Sequence, residues 1–151
     1  MLTAGSQAPD FSLGDWSLSG SLRNGPVLLV FFKISCPTCQ LALPYLQRLN
    51  DGAGPGALRI VPISQDNRDG AAQFQRHFGI SMPVEIDAAP AYAASNLYRI
   101  HHVPSLFLIE PDGSISMSVH GFSREHLEQL GSRFGARVFQ PDENLPAFRP
   151  G

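Results

Sequence analysis

The chain has 151 residues, enough for one domain that buries about two-thirds of its unfolded surface in a single core without staples. With 43% hydrophobic residues, 16% charged residues and a net charge of −2, it has no basic face suited to nucleic acid. Residues Met1 to Gln7 lack a basic n-region and an apolar h-region, and no later apolar run approaches membrane-spanning length. The chain as written therefore reads as cytoplasmic and without a membrane span. It would be periplasmic or otherwise extracytoplasmic if a signal or anchor had been removed ahead of it.

From the start, Ala8-Pro9-Asp10-Phe11-Ser12-Leu13 and then Trp16-Ser17-Leu18 and Leu22 alternate apolar and polar residues between Gly14 and Gly20. This predicts a short N-terminal hairpin covering one edge of a sheet. Val27 to Phe32 is continuously apolar, as a central strand buried on both faces requires. From Pro37 to about Asn50, Leu41, Ala42, Leu43, Tyr45, Leu46 and Leu49 recur at helical spacing until Asp51-Gly52. Pro44 falls inside that helix, where its ring crowds the preceding turn and predicts a kink.

Leu58 to Ile63 reads as the next strand, and Ala71, Phe74 and Phe78 mark a helix stopped by Gly79. The resulting βαβα unit implies parallel strands. Val84-Glu85-Ile86 suggests a short strand, and Ala89 to Tyr98 a helical stretch. Ser105 to Glu110 and Ile115 to His120 flank Pro111-Asp112-Gly113 and predict an antiparallel hairpin. Ser123 then caps a last helix with Leu127, Leu130 and Phe134 on one stripe and Gly135 at its end. Two units follow: a domain over 1–135 and a proline-containing tail over 136–151, which is extended or disordered unless Phe139, Leu145 and Phe148 dock on the domain.

The two cysteines stand together as Cys36-Pro37-Thr38-Cys39, just after the predicted core strand. At a helix N-terminus the first backbone N–H groups lack partners and the macrodipole favours an anion, so a thiolate at Cys36 would be stabilised there. Pro37 suits the first helical position because its missing N–H costs nothing. Residues three apart share a helix face, which lets Cys39 reach Cys36, form a disulfide and resolve a mixed disulfide. A zinc half-site would need two further ligands from His77, His101, His102, His120, His126 or carboxylates. Inert buried thiols would not need this spacing, so reversible dithiol chemistry is the reading the residues favour.

The element order, with Ala8-Pro9-Asp10-Phe11, the Val27–Cys39 block, Pro44, Val103-Pro104 and Pro111-Asp112-Gly113, resembles the thioredoxin fold. More closely it is similar to the TlpA-like and ResA-like thiol-disulfide oxidoreductases of the wider redoxin group, over about residues 5 to 135. The resemblance implies a three-layer α/β/α sandwich with a central mixed sheet and an N-terminal β-hairpin. It implies exchange of disulfides with protein thiols, with reduction the favoured direction and an upstream electron donor to restore the dithiol. Cys36 would be the nucleophile and Cys39 the resolving thiol. Pro104 would be a cis-proline facing the disulfide, and Val103 would pair with an extended partner that also meets Pro37 and Thr38. The alternative is that Pro104 simply begins an edge strand. No organic cofactor and no metal are implied, and a monomer is expected.

Three departures stand out. Val30 replaces the buried acid or asparagine of the related families, Ala42 the ResA-like glutamate, and Ser35 the tryptophan before the first cysteine. Proton transfer from Cys39 must then use water or another group, with Glu85 and Asp87 as candidates, although loop polarity, or a helix cap for Asp87, is the favoured reading. Lys33 is either a source of positive potential beside Cys36 or a solvated strand end. His101-His102 could complete a copper site of the SCO-like kind or be surface residues. A peroxiredoxin-like thiol peroxidase is disfavoured, because Leu29 and Lys33 stand where its proline and hydroxyl residue belong.

Overall fold

The computed structural model describes residues 1–151. In chain order the elements are β1 (Ser12–Leu13), β2 (Trp16–Ser17), α1 (Leu18–Leu22), β3 (Val27–Phe32), α2 (Pro37–Gly52), β4 (Arg59–Ser64) and α3 (Arg68–Phe78). Then follow β5 (Glu85–Ile86), α4 (Ala93–Leu97), β6 (Ser105–Ile109), β7 (Ile115–His120), β8 (Phe122–Ser123), α5 (Arg124–Phe134) and β9 (Phe148–Arg149).

The main sheet has the order β5-β4-β3-β6-β7, with β3, β4 and β5 parallel and β6 and β7 antiparallel additions. All six side chains of β3 are fully buried, which explains its unbroken apolar run: it is the middle strand and is covered on both faces. Leu28, Val30 and Phe32 meet residues of α2, α3 and α5, while Val27, Leu29 and Phe31 meet α1, Tyr98 and the N-terminal hairpin. Each such side chain contributes about 1.5–3 kcal/mol through its burial. The fold is the three-layer, mixed-sheet sandwich expected.

The N-terminal part forms the expected hairpin but lies elsewhere. Phe11, Leu13, Trp16 and Leu22 pack on a face of the sheet, against the cluster of Leu18, Leu29, Phe31, Tyr98 and Phe107, and not along an edge. The edge at the start of β7 is covered by the preceding residues, whose Gly5 and Ala8 N–H groups donate to Ile115 and Gly113 at 2.8 Å each. Leu18 to Leu22 is a helix, begun by the Ser17 hydroxyl accepting from Gly20 N–H at 3.1 Å. Leu18 and Leu22 are four apart, a spacing that fits one helix face and one strand face alike.

The helix predicted over Ala89 to Tyr98 is shorter, because Pro90 and the left-handed Tyr92 hold residues before Ala93 out of it. Asp87, 1% exposed, supplies its N-terminal cap from a distance: its carboxylate accepts from Ala94 N–H at 3.0 Å and from Ser95 N–H and hydroxyl at 2.7 and 2.6 Å. The helix-cap reading of Asp87 is the correct one. Helix α2 runs unbroken through Pro44.

The tail docks. Phe139 is buried and meets Tyr45 and Phe122 with ring centroids 5.0 and 6.1 Å apart, and Val138 joins the same core. Gly131 on α5 makes the turn-back possible, since a β-carbon there would sit 2.5 Å from the Ala136 carbonyl. Glu143 then accepts from Arg48 at 2.7 Å, from Gln140 N–H at 2.6 Å and from the Tyr45 hydroxyl at 3.1 Å. Arg48 first, and Gln140 after it, hold the Glu143 carboxyl down to about 2. The final strand, β9, pairs antiparallel with β8.

Candidate active site

Strand β3 ends at Phe32 and the chain turns through Lys33-Ile34-Ser35 to α2. Both backbone polar groups of Ile34 are held: its N–H donates to the Asp66 carboxylate at 2.8 Å, and its carbonyl accepts from the Gln40 amide at 2.9 Å. Asp66 is itself fixed by the Ser64 hydroxyl at 3.1 Å. The loop delivering Cys36 is thus clamped from β4 and from α2.

Cys36 is the N-cap of α2, with Pro37 at the first helical position, and its sulfur accepts from Cys39 N–H at 3.1 Å. The thiol in turn lies 3.4 Å from the Val103 carbonyl, to which it donates. The Val103–Pro104 peptide is cis. Because β6 runs antiparallel to β3, its start lies beside the end of β3, and this is how residues 67 positions apart meet. Both cysteines are free thiols, Cys36 half-buried and Cys39 fully buried. Burial, reinforced by the hydrogen bond with Cys36, pushes the Cys39 thiol well above the ordinary range, and a backbone bond from Lys33 only partly offsets this. One sulfur can meet a partner, and its neighbour is kept protonated behind it.

Of the residues singled out in the sequence, Cys36, Cys39, Val103 and Pro104 come together. Pro37 is exposed on the same helix end, while Thr38 is buried, its hydroxyl donating to the Pro150 carbonyl at 2.7 Å. Lys33, His101 and His102 line a cavity of about 250 Å³ beside Val103, with Gln65 and Tyr92. His102 faces His120 at 6.0 Å between ring centroids, and no three His, Cys, Asp or Glu side chains gather as a metal site. Glu85 lies on β5, the sheet edge two strands from β3, and Asp87 is committed to α4. The carboxylate that does reach the site is Asp66, whose charge also raises the Cys39 thiol. Its signal was its place two residues past the end of β4, where a loop returns to the end of the neighbouring parallel strand.

Residues 4–118 match the AhpC/TSA family. The chain belongs to that family. It is 28% identical over 132 residues to the thiol-disulfide oxidoreductase ResA of Bacillus thuringiensis (strain Al Hakam), covering 82% of this chain and 74% of that one. A putative thiol:disulfide interchange protein DsbE from Chlorobium tepidum superposes with a TM-score of 0.76 at 24% identity, over 88% of this chain and 96% of that one. Peroxidoxin BcpB from Mycobacterium tuberculosis superposes at 0.73 with 19% identity, over 89% and 97%, so the fold is common to both chemistries. Within the family the chain stands with the TlpA-like and ResA-like redoxins. No helix is long and apolar enough to cross a membrane.

Proposed function

We propose that this chain, a thiol-disulfide oxidoreductase, moves two electrons to disulfides of partner proteins through Cys36 and Cys39. The observation that carries the reading is the pairing of a half-buried sulfur at a helix N-terminus with a fully buried one directly behind it, 3.1 Å from sulfur to backbone N–H. The Cys36 thiolate attacks one sulfur of the partner disulfide; the partner S–S bond breaks, a mixed disulfide forms, and the leaving thiolate takes a proton from solvent. Cys39 then loses its proton to water and attacks the Cys36 sulfur, releasing the second partner thiol. The chain is left with a Cys36–Cys39 disulfide and the partner has gained two electrons and two protons. A dithiol donor must reverse this to complete a cycle.

Because burial keeps Cys39 protonated, the second step is the pH-sensitive one. With the thiol far above neutral, its thiolate fraction and the rate of release rise about tenfold per pH unit. The direction of flow is tested by the equilibrium potential of the pair against glutathione or dithiothreitol, read by mass after alkylation. A potential near or below about −250 mV supports the reductant, and one near −120 to −180 mV would make it an oxidant or isomerase. Failure to form an intramolecular disulfide at any poise overturns the reading.

A further inference from the structure

We propose that residues 148–151 are a strap that occupies the partner-docking groove beside the sulfurs, so that a protein substrate must displace it while a small disulfide need not. This inference rests on the exchange reading above. Three contacts from different elements carry it. Strand β9 pairs Phe148 and Arg149 with Ser123 and Phe122, the Thr38 hydroxyl donates to the Pro150 carbonyl at 2.7 Å, and Gly151 lies against the backbone of Val103. A β-carbon on Gly151 would collide with the Val103 carbonyl, so only a glycine fits at this contact. Gly121 opens the path from the other side, since a β-carbon there would lie 2.5 Å from the Arg149 carbonyl and 3.2 Å from the Phe148 ring.

Thr38 and Val103 are two of the residues expected to meet an extended partner, and the tail lies on both. The contacts are those of an added strand: main-chain groups, a hydroxyl to a carbonyl, little side-chain burial. Phe148 is 50% exposed, which makes the strap's hold weak and its release easy. Cys36 stays half-buried with the strap in place, so a compact disulfide can still reach it. The occupied groove lowers the apparent affinity for an extended partner by the fraction of molecules with the strap lifted. The groove therefore fits an extended polypeptide and is filled, at rest, by one.

The test compares the full chain with Arg149→Pro, which removes a donor from β9, and with Phe148→Gly, which removes its ring. Each reduced protein is mixed with a disulfide-bonded extended peptide and, separately, with bis(2-hydroxyethyl) disulfide, and the second-order rate constants are measured. The strap predicts that both variants react about five- to tenfold faster with the peptide and within twofold of the parent with the small disulfide. Unchanged or slower reaction with the peptide overturns it, as does equal acceleration with both disulfides, which would make the tail a shield over the sulfur. If the parent reacts with neither disulfide, the exchange reading itself fails and the strap falls with it.

Discussion

Both ends of the chain wrap the five-stranded sheet, and they are held in opposite ways. Residues 1–22 are tied in by fully buried Leu18, by the Tyr98 hydroxyl donating to the Pro9 carbonyl at 2.7 Å and by backbone bonds to the start of β7, all away from the sulfurs. The tail has apolar anchors at Val138, Phe139 and half-buried Leu145 and a polar anchor at Glu143, and beyond Leu145 its side chains are exposed up to the site. The first end packs on the core along its whole length, whereas the second joins the core at Val138 and Phe139 and rides on the surface after Leu145. A segment that yields to a partner is drawn from the low-stability end of the structure, and here that is the stretch lying on Thr38 and Val103.

The sharpest break in the comparison is Leu18→Ala, 1% exposed and packed under β3. It should cost about 2–5 kcal/mol in urea unfolding, with exchange by the folded fraction unchanged. Phe139→Ala should cost less, about 2–3 kcal/mol, because the tail can relax away from the cavity. Unlike Leu18→Ala it should also speed reaction with a peptide disulfide. A larger loss at Phe139 than at Leu18 would place the tail in the core and erase the contrast.

Acid separates the two ends further. Glu143 is held at about 2, below the ordinary glutamate value of about 4.3, so its carboxylate stabilises the docked tail fully above that ordinary value. The contribution is lost as pH falls from there through about 2. Amide exchange should show protection near Gln140 to Glu143 falling across that window while the N-terminal hairpin holds. Phe148→Gly should have the smallest effect on stability, within about 0.5 kcal/mol, at a half-exposed ring.

The contrast also explains what could be read from the sequence. The core strand, the two sulfurs and the Pro111-Asp112-Gly113 hairpin were legible because each rests on local pattern: an apolar run, a three-residue spacing, a turn. Helix α1 was not, because Leu18 and Leu22 satisfy two periods at once. Asp66 was missed because its partner, the Ile34 N–H, is 32 residues away and is a backbone group. The path of residues 148–151 was hidden for the same reason: the Pro150 carbonyl, the Val103 backbone and the short pairing with β8 are main-chain groups far apart in sequence, and Gly121, Gly151 and Thr38 show their part only once those groups are in place. Phe139 and Leu145 were visible as possible anchors, but where the chain went after them was not.

The central claim is that Cys36 attacks and Cys39 releases. It is tested most directly by mixing Cys39→Ser and Cys36→Ser, each reduced, with a disulfide-bonded protein and weighing the products after acid quench without reductant. The account predicts a stable adduct of one chain with the partner for Cys39→Ser, joined through Cys36, and none for Cys36→Ser. An adduct through Cys39, or equal turnover by Cys36→Ser and the parent, would contradict it.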